Sequence, residues 1–336
     1  MKKALIIEPN KHHGEIIPGV VKYFQDLGVA TDVIARDLQE PLKPFIGVDS
    51  VNFTDLQNIR HLLKESVAST YDYLFFTSYH MYERNIVSHK QWGSIFDNFK
   101  NIIPSRNGIM AMCHHLDLLE EEDYKRVKLF SLHQYNNYNI TPLNTHYFGE
   151  FDLKLKNNNF VNFITVGCIE NNRRNTNVLI EAVKKLKEKN INNFQITVIG
   201  YRGKLEVPDD LKHYFRLLGK VDFPTMFKEV NSSDYILTLF DPENIEHDRY
   251  LTLGTSGTIQ LIYGLKKPCL IPQKFAEKYN FDDKNSFIYD CNEQLSKTML
   301  RAICEGVISQ HTKVLNLEDL SKSVYEKSLK NLKAVL

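Results

Sequence analysis

The sequence predicts an α/β protein made of two Rossmann-like, doubly wound domains facing a cleft. Three observations carry this. Short apolar runs of strand length alternate with amphipathic stretches of helix length along the chain, the pattern of parallel sheets covered by helices. The pattern pauses once, at the polar Asn157-Asn158-Asn159 after Phe148-Gly149-Glu150, and then restarts. At 336 residues the chain is also long for a single core. The first domain is therefore placed at 1–156 and the second at 157–317. A C-terminal helix over 318–336 is free to pack back on the first.

In the first half the strands fall at Ala4–Ile7, Ala30–Ala35, Tyr73–Thr77, Gly108–Cys113 and Val127–Leu132, with helices at Ile16–Leu27, Leu56–Ser69 and Trp92–Lys100. The second half opens with a strand at Phe160–Val166, a helix at Thr176–Lys189 and a strand at Phe194–Ile199. A helix after Pro208, a strand near Leu218–Val221, a helix from Pro224 and a strand at Tyr235–Phe240 follow. A helix from Thr258 and a strand at Pro268 complete the sheet. From Asn292 the tail reads as two helices separated near Gly306–Asn316.

Composition bounds the function. A net charge of +1 offers no footprint for nucleic acid. Five cysteines (Cys113, Cys168, Cys269, Cys291, Cys304) are scattered, without a CxxC pair, and fit buried thiols in a reducing compartment. Lys2–Ile7 is too short for a signal peptide, because Glu8-Pro9-Asn10 ends it, and no run approaches the roughly 18 apolar residues of a membrane span. A cytoplasmic protein is expected. The exposed-face lysines Lys322, Lys327, Lys330 and Lys333 of the last helix allow peripheral contact with the inner face of a membrane.

The most informative segment is Gly254-Thr255-Ser256-Gly257-Thr258, which opens the helix ending near Gly264. A helix N-terminus leaves unpaired N–H groups and partial positive charge, so small hydroxylated residues there suit a phosphate. Taken alone, an ordinary Ser or Thr cap explains the turn equally well. Other groups fall at the same strand ends. Gly167 is followed by Arg173-Arg174 at a helix entrance, where guanidinium groups can clamp a diphosphate. Tyr201 follows the strand ending at Ile199, and Gly219-Lys220-Val221 precedes the Pro224 helix. The loop Asp241–Tyr250 carries Glu243, Glu246, His247 and Tyr250, groups able to contact a sugar.

Together these residues resemble the nucleotide-binding domain of GT-B glycosyltransferases, in particular the family-4-like group. The match runs over Gly167 with Arg173/Arg174, Leu179-Ile180-Glu181-Ala182, Gly219-Lys220-Val221 and Gly264-Leu265-Lys266-Lys267-Pro268-Cys269, within roughly residues 160 to 290. The resemblance implies a transferase that moves a sugar from a nucleotide-diphosphate donor, UDP-linked, to a glycan or lipid-linked acceptor in bacterial surface polysaccharide synthesis. It implies donor diphosphate contacts from Arg173 or Arg174 and Thr255, Ser256, Gly257 and Thr258. Base contacts fall to Tyr201, Gly219 and Val221, and sugar contacts to Glu243, Glu246, His247 and Tyr250. It implies no bound cofactor and no metal. Closure of the two domains would exclude water from the transfer.

The departure is specific. Retaining members of the group carry two glutamates separated by seven residues, the second near the start of the closing helix, where this chain has Gln260-Leu261. UDP-N-acetylglucosamine 2-epimerases share the fold and a similar Ser-Gly turn, but follow it with Gln-Glu-Glu. An epimerase-like enzyme and a catalytically silent GT-B binding subunit are the alternatives.

In the first half three clusters follow strands: Lys11-His12-His13-Gly14-Glu15, Ser78-Tyr79-His80 and Cys113-His114-His115. An inverting transferase needs a base for the acceptor hydroxyl. Glu15, His13, His115 and His80 are the candidates. The adjacent histidine pairs project poorly for a single metal ion.

Overall fold

The computed structural model describes residues 1–8, 10, 13–35, 52–55, 71–80, 82–83, 86–87, 108–152, 160–170, 173–200 and 205–336. The helices anticipated at Leu56–Ser69 and Trp92–Lys100, the Asn157–Asn159 run and Tyr201 lie outside these residues. The chain divides into two compact units. Unit 1 holds 1–150, 253–255 and 323–336, and unit 2 holds 151–252 and 256–322.

Among the described residues unit 1 carries a seven-stranded sheet: β1 (Lys3–Glu8), β2 (Ala30–Ala35), β3 (Asn52–Asp55), β4 (Tyr73–Phe76), β5 (Ile109–Met112), β6 (Lys128–Ser131) and β7 (Thr141–Pro142). They lie in the order β3-β2-β1-β4-β5-β6-β7, every neighbouring pair parallel. β1 and β4 are buried along most or all of their length, which accounts for the uninterrupted apolar runs Ala4–Ile7 and Tyr73–Phe76. A two-stranded antiparallel hairpin, Tyr82–Glu83 with Ile86–Val87, follows β4. Helix α1 (Ile17–Asp26) has proline in its first turn and buries Ile17, Val20, Val21 and Phe24, spaced for one helical face. At Gly19 a Cβ would meet Thr145 Cβ at 2.9 Å, so glycine lets the helix lie close to that segment.

Unit 2 carries β8 (Val161–Val166), β9 (Phe194–Ile199), β10 (Phe215–Gly219), β11 (Tyr235–Leu237), β12 (Cys269–Pro272) and β13 (Phe287–Tyr289). Their order is β10-β9-β8-β11-β12-β13, again parallel throughout. Its longer helices are α2 (Thr176–Glu188), α3 (Phe223–Ser232), α4 (Gly257–Leu265), α5 (Leu295–Cys304) and the first part of α6 (Val307–Lys333). Leu179, Val183 and Leu186 of α2 and Leu295, Met299 and Ala302 of α5 close over Val161, Phe163 and Ile196 in one core. Both sheets reverse their winding beside the first strand, between β1 and β4 and between β8 and β11. In doubly wound sheets ligands sit beyond the carboxyl ends at such a reversal.

Three local expectations change. The chain joins unit 2 at Phe151, because that ring packs 6.1 Å from Phe227 and the Asp152 carbonyl accepts from Asn231 Nδ2 at 3.1 Å. The tail is two helices as expected, but the break between them is confined to Glu305-Gly306, and the chain passes from unit 2 to unit 1 at Ser323 within α6. β11 ends at Leu237 rather than Phe240, since Leu239 turns into the left-handed region at φ 52°. Among the described residues no helix is long and apolar enough to cross a membrane.

Candidate functional site

The carboxyl edge of the unit 2 sheet is built around a buried arginine. β8 ends at Gly167, whose φ of 131° favours glycine, and a Cβ there would lie 3.1 Å from Arg174 Nη2. At Gly200, just past β9, a Cβ would come within 2.0 Å of the Gly167 carbonyl oxygen. Gly200 is therefore demanded by close backbone approach, and Gly167 by its positive φ. The chain returns through Arg173 and Arg174 to Asn175, which caps α2 by accepting from Val178 N–H.

Arg174 is 3% exposed. Its Nη2 donates to the Val166 carbonyl at 3.1 Å, to Ser256 Oγ at 3.1 Å and to Thr258 Oγ1 at 2.6 Å, and its Nη1 donates to the Arg173 carbonyl at 2.7 Å. The guanidinium lies 5.3 Å from the centroid of Phe240. Burial lowers its pKa and the neighbouring Tyr250 opposes that shift, but an arginine remains charged. Among the described residues no carboxylate pairs with it, and its buried Nε has no hydrogen-bond partner. A buried cation held by hydroxyls and carbonyls is thus left without a counter-charge.

Ser256 and Thr258 open α4. Ser256 Oγ accepts from Thr258 N–H at 3.3 Å, and Thr258 Oγ1 donates to the Val166 carbonyl at 3.1 Å. Gly257, between them, is exposed, with open space where a Cβ would stand. Thr255 belongs with Gly254 to unit 1, where its hydroxyl meets Tyr135 OH at 2.7 Å. The five-residue turn therefore divides: its first residues pack in unit 1, and its last three cap α4 in unit 2.

The end of β11 completes this edge. The Leu239 carbonyl accepts from Asn175 N–H at 2.8 Å, so the strained residue holds the start of α2. A left-handed leucine costs on the order of 1–3 kcal/mol, and such strain gathers at functional sites. Asp241 accepts from Asn175 Nδ2 at 2.6 Å, from Asn292 Nδ2 at 2.8 Å and from Glu243 N–H at 2.9 Å. Burial acts against its carboxylate, but these donors together hold its pKa below the ordinary value.

The remaining unit 2 candidates separate. Arg173 is half-buried and bonded through its backbone N–H to the Glu170 carbonyl at 2.8 Å. Gly219 has φ 66° and accepts from Gly200 N–H at 3.0 Å, with Val221 half-buried beyond it. Glu243 and Glu246 are exposed, and Tyr250 is buried near Arg174. His247 is 0% exposed, its Nδ1 accepting from Asp241 N–H at 2.8 Å, so it pins the loop from inside instead of presenting a ring at the surface.

Unit 1 gathers a second group at the carboxyl ends of β1, β4 and β5. Glu8, 1% exposed, accepts from Asn10 N–H at 2.6 Å, Thr77 Oγ1 at 2.7 Å and Ser78 Oγ at 2.9 Å. His114 Nε2 lies 2.9 Å from the Thr77 carbonyl, and its ring stacks on His13 with centroids 4.2 Å apart and planes 6° from parallel. His13 Nδ1 is 3.7 Å from Glu15 Oε1. Burial pushes the Glu8 pKa up and that of His114 well down. Burial also pulls on His13, but the carboxylates of Glu15 and Glu8 outweigh it and raise the pKa. His80 is enclosed, its Nδ1 4.0 Å from Cys113 Sγ, while His115 is half-buried and its carbonyl accepts from that thiol. His13 and Glu15 thus come together, and His80 and His115 lie to one side of the stack. Among the described residues no three acidic, histidine or cysteine side chains are grouped to hold a metal.

Sequence reasoning read Glu8 only as the end of a strand and overlooked Asn175 and Asn292. The available signal was position: Glu8 and Asp241 each stand at or just past the carboxyl end of a strand beside the winding reversal.

No protein-family model matches the chain, and no curated protein matches its sequence. Solved structures do match the fold. TarM aligns over 100% of this chain and 98% of its own, with a TM-score of 0.60 at 10% identity. HepE from Anabaena, solved in complex with UDP-glucose, aligns over 99% of both chains with a TM-score of 0.57 at 10% identity. The chain has the GT-B fold. S. aureus MnaA, in a co-structure with UDP, aligns over 100% of this chain and 98% of its own, with a TM-score of 0.52 at 12% identity. In GT-B terms the Arg174 edge lies in the second Rossmann-like domain and the His13–His114 group in the first.

Proposed function

We propose that the chain is a GT-B glycosyltransferase, a hexosyltransferase that uses a UDP-linked sugar as donor. The observation that carries this is Arg174: a buried cation without a counter-charge among the described residues, bonded to the first turn of α4 at the winding reversal of the sheet. An anion placed there meets both the guanidinium field and the positive end of the α4 dipole. A diphosphate leaving group is such an anion. As the anomeric carbon–oxygen bond breaks, charge grows on the diphosphate, and fixed dipoles and a fixed cation stabilise it most when it is fully developed. The charge is met by protein groups, so the reading is metal-independent.

The fold neighbours support the donor class. HepE was solved with UDP-glucose and MnaA with UDP, and WaaB is described as a lipopolysaccharide outer core galactosyltransferase. The acceptor assigned by this reading is a hydroxyl of a glycan or lipid-linked sugar in surface polysaccharide synthesis. Its proton leaves as the new carbon–oxygen bond forms, and His13 with Glu15 is the acid–base pair that unit 1 offers. Exposed Lys322, Lys327, Lys330 and Lys333 suit a peripheral, charge-driven contact with a membrane carrying the acceptor.

Calorimetric titration with UDP tests the donor assignment. The double variant Ser256→Ala, Arg174→Ala should bind UDP at least tenfold more weakly than wild type. Undiminished affinity in a folded double variant would sink the diphosphate reading.

A further inference from the structure

Within unit 1, the stacked imidazoles of His13 and His114 are tied to a buried carboxylate, Glu8, by the bend after β4. Glu8 fills the bend after β4 from below, accepting both the Thr77 and the Ser78 hydroxyls. The same bend turns the Thr77 carbonyl toward His114 Nε2 at 2.9 Å. A carbonyl oxygen can only accept, so Nε2 carries the hydrogen, and a neutral His114 keeps its lone pair on Nδ1.

We propose that Glu8 is a positioning residue which, through the Thr77–Ser78 bend, locks His114 in its Nε2–H form under His13. The stacked pair then carries a single positive charge, on His13, poised against Glu15. The proposal deepens the transferase reading by assigning one acid–base group to unit 1, and the reading of the protons themselves does not depend on turnover.

Two parallel rings 4.2 Å apart cannot both be charged without strong repulsion. The surroundings decide which one carries the proton. Glu15 faces His13 at 3.7 Å, whereas His114 meets a carbonyl dipole and lies near two further imidazoles, His80 and His115, that disfavour a second charge. Cys113, beside His80, has its thiol pushed up to about 12 by burial and stays neutral. Among the described residues the titratable groups facing the pair include Glu8 from β1, Glu15 from the turn before α1, His80 after β4, and Cys113 and His115 after β5. The directions found for His13, raised, and His114, lowered, agree with this division.

Full-length protein labelled with ¹⁵N-histidine tests the proposal by long-range ¹H–¹⁵N correlation, with His13→Gln and His114→Gln used for assignment. The expected wild-type result is a neutral, Nε2-protonated His114 throughout pH 6–8 and a His13 that titrates above its ordinary value of 6.5. Glu8→Gln leaves the bend one acceptor short and removes a negative charge. It should mix the His114 tautomers and lower the His13 midpoint. Glu15→Gln should lower the His13 midpoint and leave the His114 tautomer intact. Ser78→Ala, a milder change, should reproduce the Glu8→Gln effect in part, and it serves if Glu8→Gln does not fold. An Nδ1-protonated His114 in the wild type, or tautomers and midpoints unmoved by both Glu8→Gln and Ser78→Ala, would overturn the proposal. If the imidazole spectra behave as expected and no UDP-sugar is turned over, the transferase reading fails and the proton arrangement stands.

Discussion

Arg174 Nη2 and Thr258 Oγ1 lie 2.6 Å apart, and both groups also bond the Val166 carbonyl. The end of β8, the entrance to α2 and the first turn of α4 are thereby fixed to one another. A cation and a helix N-terminus are presented together where the donor reading places the diphosphate.

Arg174→Lys keeps the charge but not the planar fork whose Nη2 reaches Ser256, Thr258 and Val166 while Nη1 holds the Arg173 carbonyl. We expect at least a tenfold loss in UDP affinity, about 1.4 kcal/mol, with a lowered melting temperature. Calorimetry and thermal denaturation read the two effects separately. A lysine variant that binds UDP as wild type does would show that charge alone suffices.

Two glycines near this site should behave oppositely. Gly200→Ala drives a Cβ to 2.0 Å from the Gly167 carbonyl, where no flexible side chain can yield, so a loss of roughly 1–3 kcal/mol or more is expected. Gly257→Ala meets open space, and the folded protein should be as stable as wild type or slightly more so. In the donor reading its exposed position is where a phosphate approaches the backbone. Gly257→Ala should therefore weaken UDP binding in an undamaged protein, and unchanged affinity would place the phosphate elsewhere.

The His13–His114 stack predicts a stability maximum near neutral pH. His114 has a lowered folded pKa, so the unfolded chain takes up more protons below 6.5 and stability falls as pH drops through that region. His13 has a raised folded pKa, so its contribution is present below 6.5 and is lost as pH rises through the folded value. In a pH series of melting temperatures, His114→Asn should soften the acid-side fall and Glu15→Gln should move the alkaline fall to lower pH. Identical profiles for wild type and both variants would contradict these assignments.

The alternation of apolar runs made the sheets legible, because a parallel strand covered on both faces has to be apolar along its length. β2 and β9 fall where the sequence placed them, at Ala30–Ala35 and Phe194–Ile199. Short strands such as β7 and β13 carry too few residues to show a period. The left-handed turn at Leu239 was invisible, since leucine gives no local sign of a conformation imposed by Asn175 and the neighbouring loop. The break expected near Gly306–Asn316 is confined to Glu305-Gly306, and burial of Gln310, Val314 and Leu317 holds the following turns in α6. At the site, the hydroxyl turn and the arginines could be read because helix termini have a local signature. Glu8 and Asp241 offered only their positions at strand ends, because their partners come from separate parts of the chain, and the inward turn of His247 offered no local sign.

The end of α6 offers the last test, because it is a distant part of the chain built into unit 1. Tyr325 stacks on Tyr23 with centroids 4.5 Å apart and donates to Asp26 at 2.8 Å. Ser328 Oγ accepts from Asn144 N–H at 3.0 Å, Asn331 Nδ2 donates to the Pro142 carbonyl at 2.8 Å, and Leu332 is fully buried. Leu332→Ala should cost about 2–5 kcal/mol through the cavity it leaves. Tyr325→Phe loses only the bond to Asp26 and should cost about 1 kcal/mol. Truncation after Lys322 removes all of these contacts and leaves the Asn144 N–H without its acceptor, so it should destabilise unit 1 more than either substitution. Hydrogen exchange followed by mass spectrometry would show where the damage falls. The prediction is faster exchange in α1 and the β6–β7 segment, and truncation that leaves those segments protected would remove the helix end from the unit 1 core.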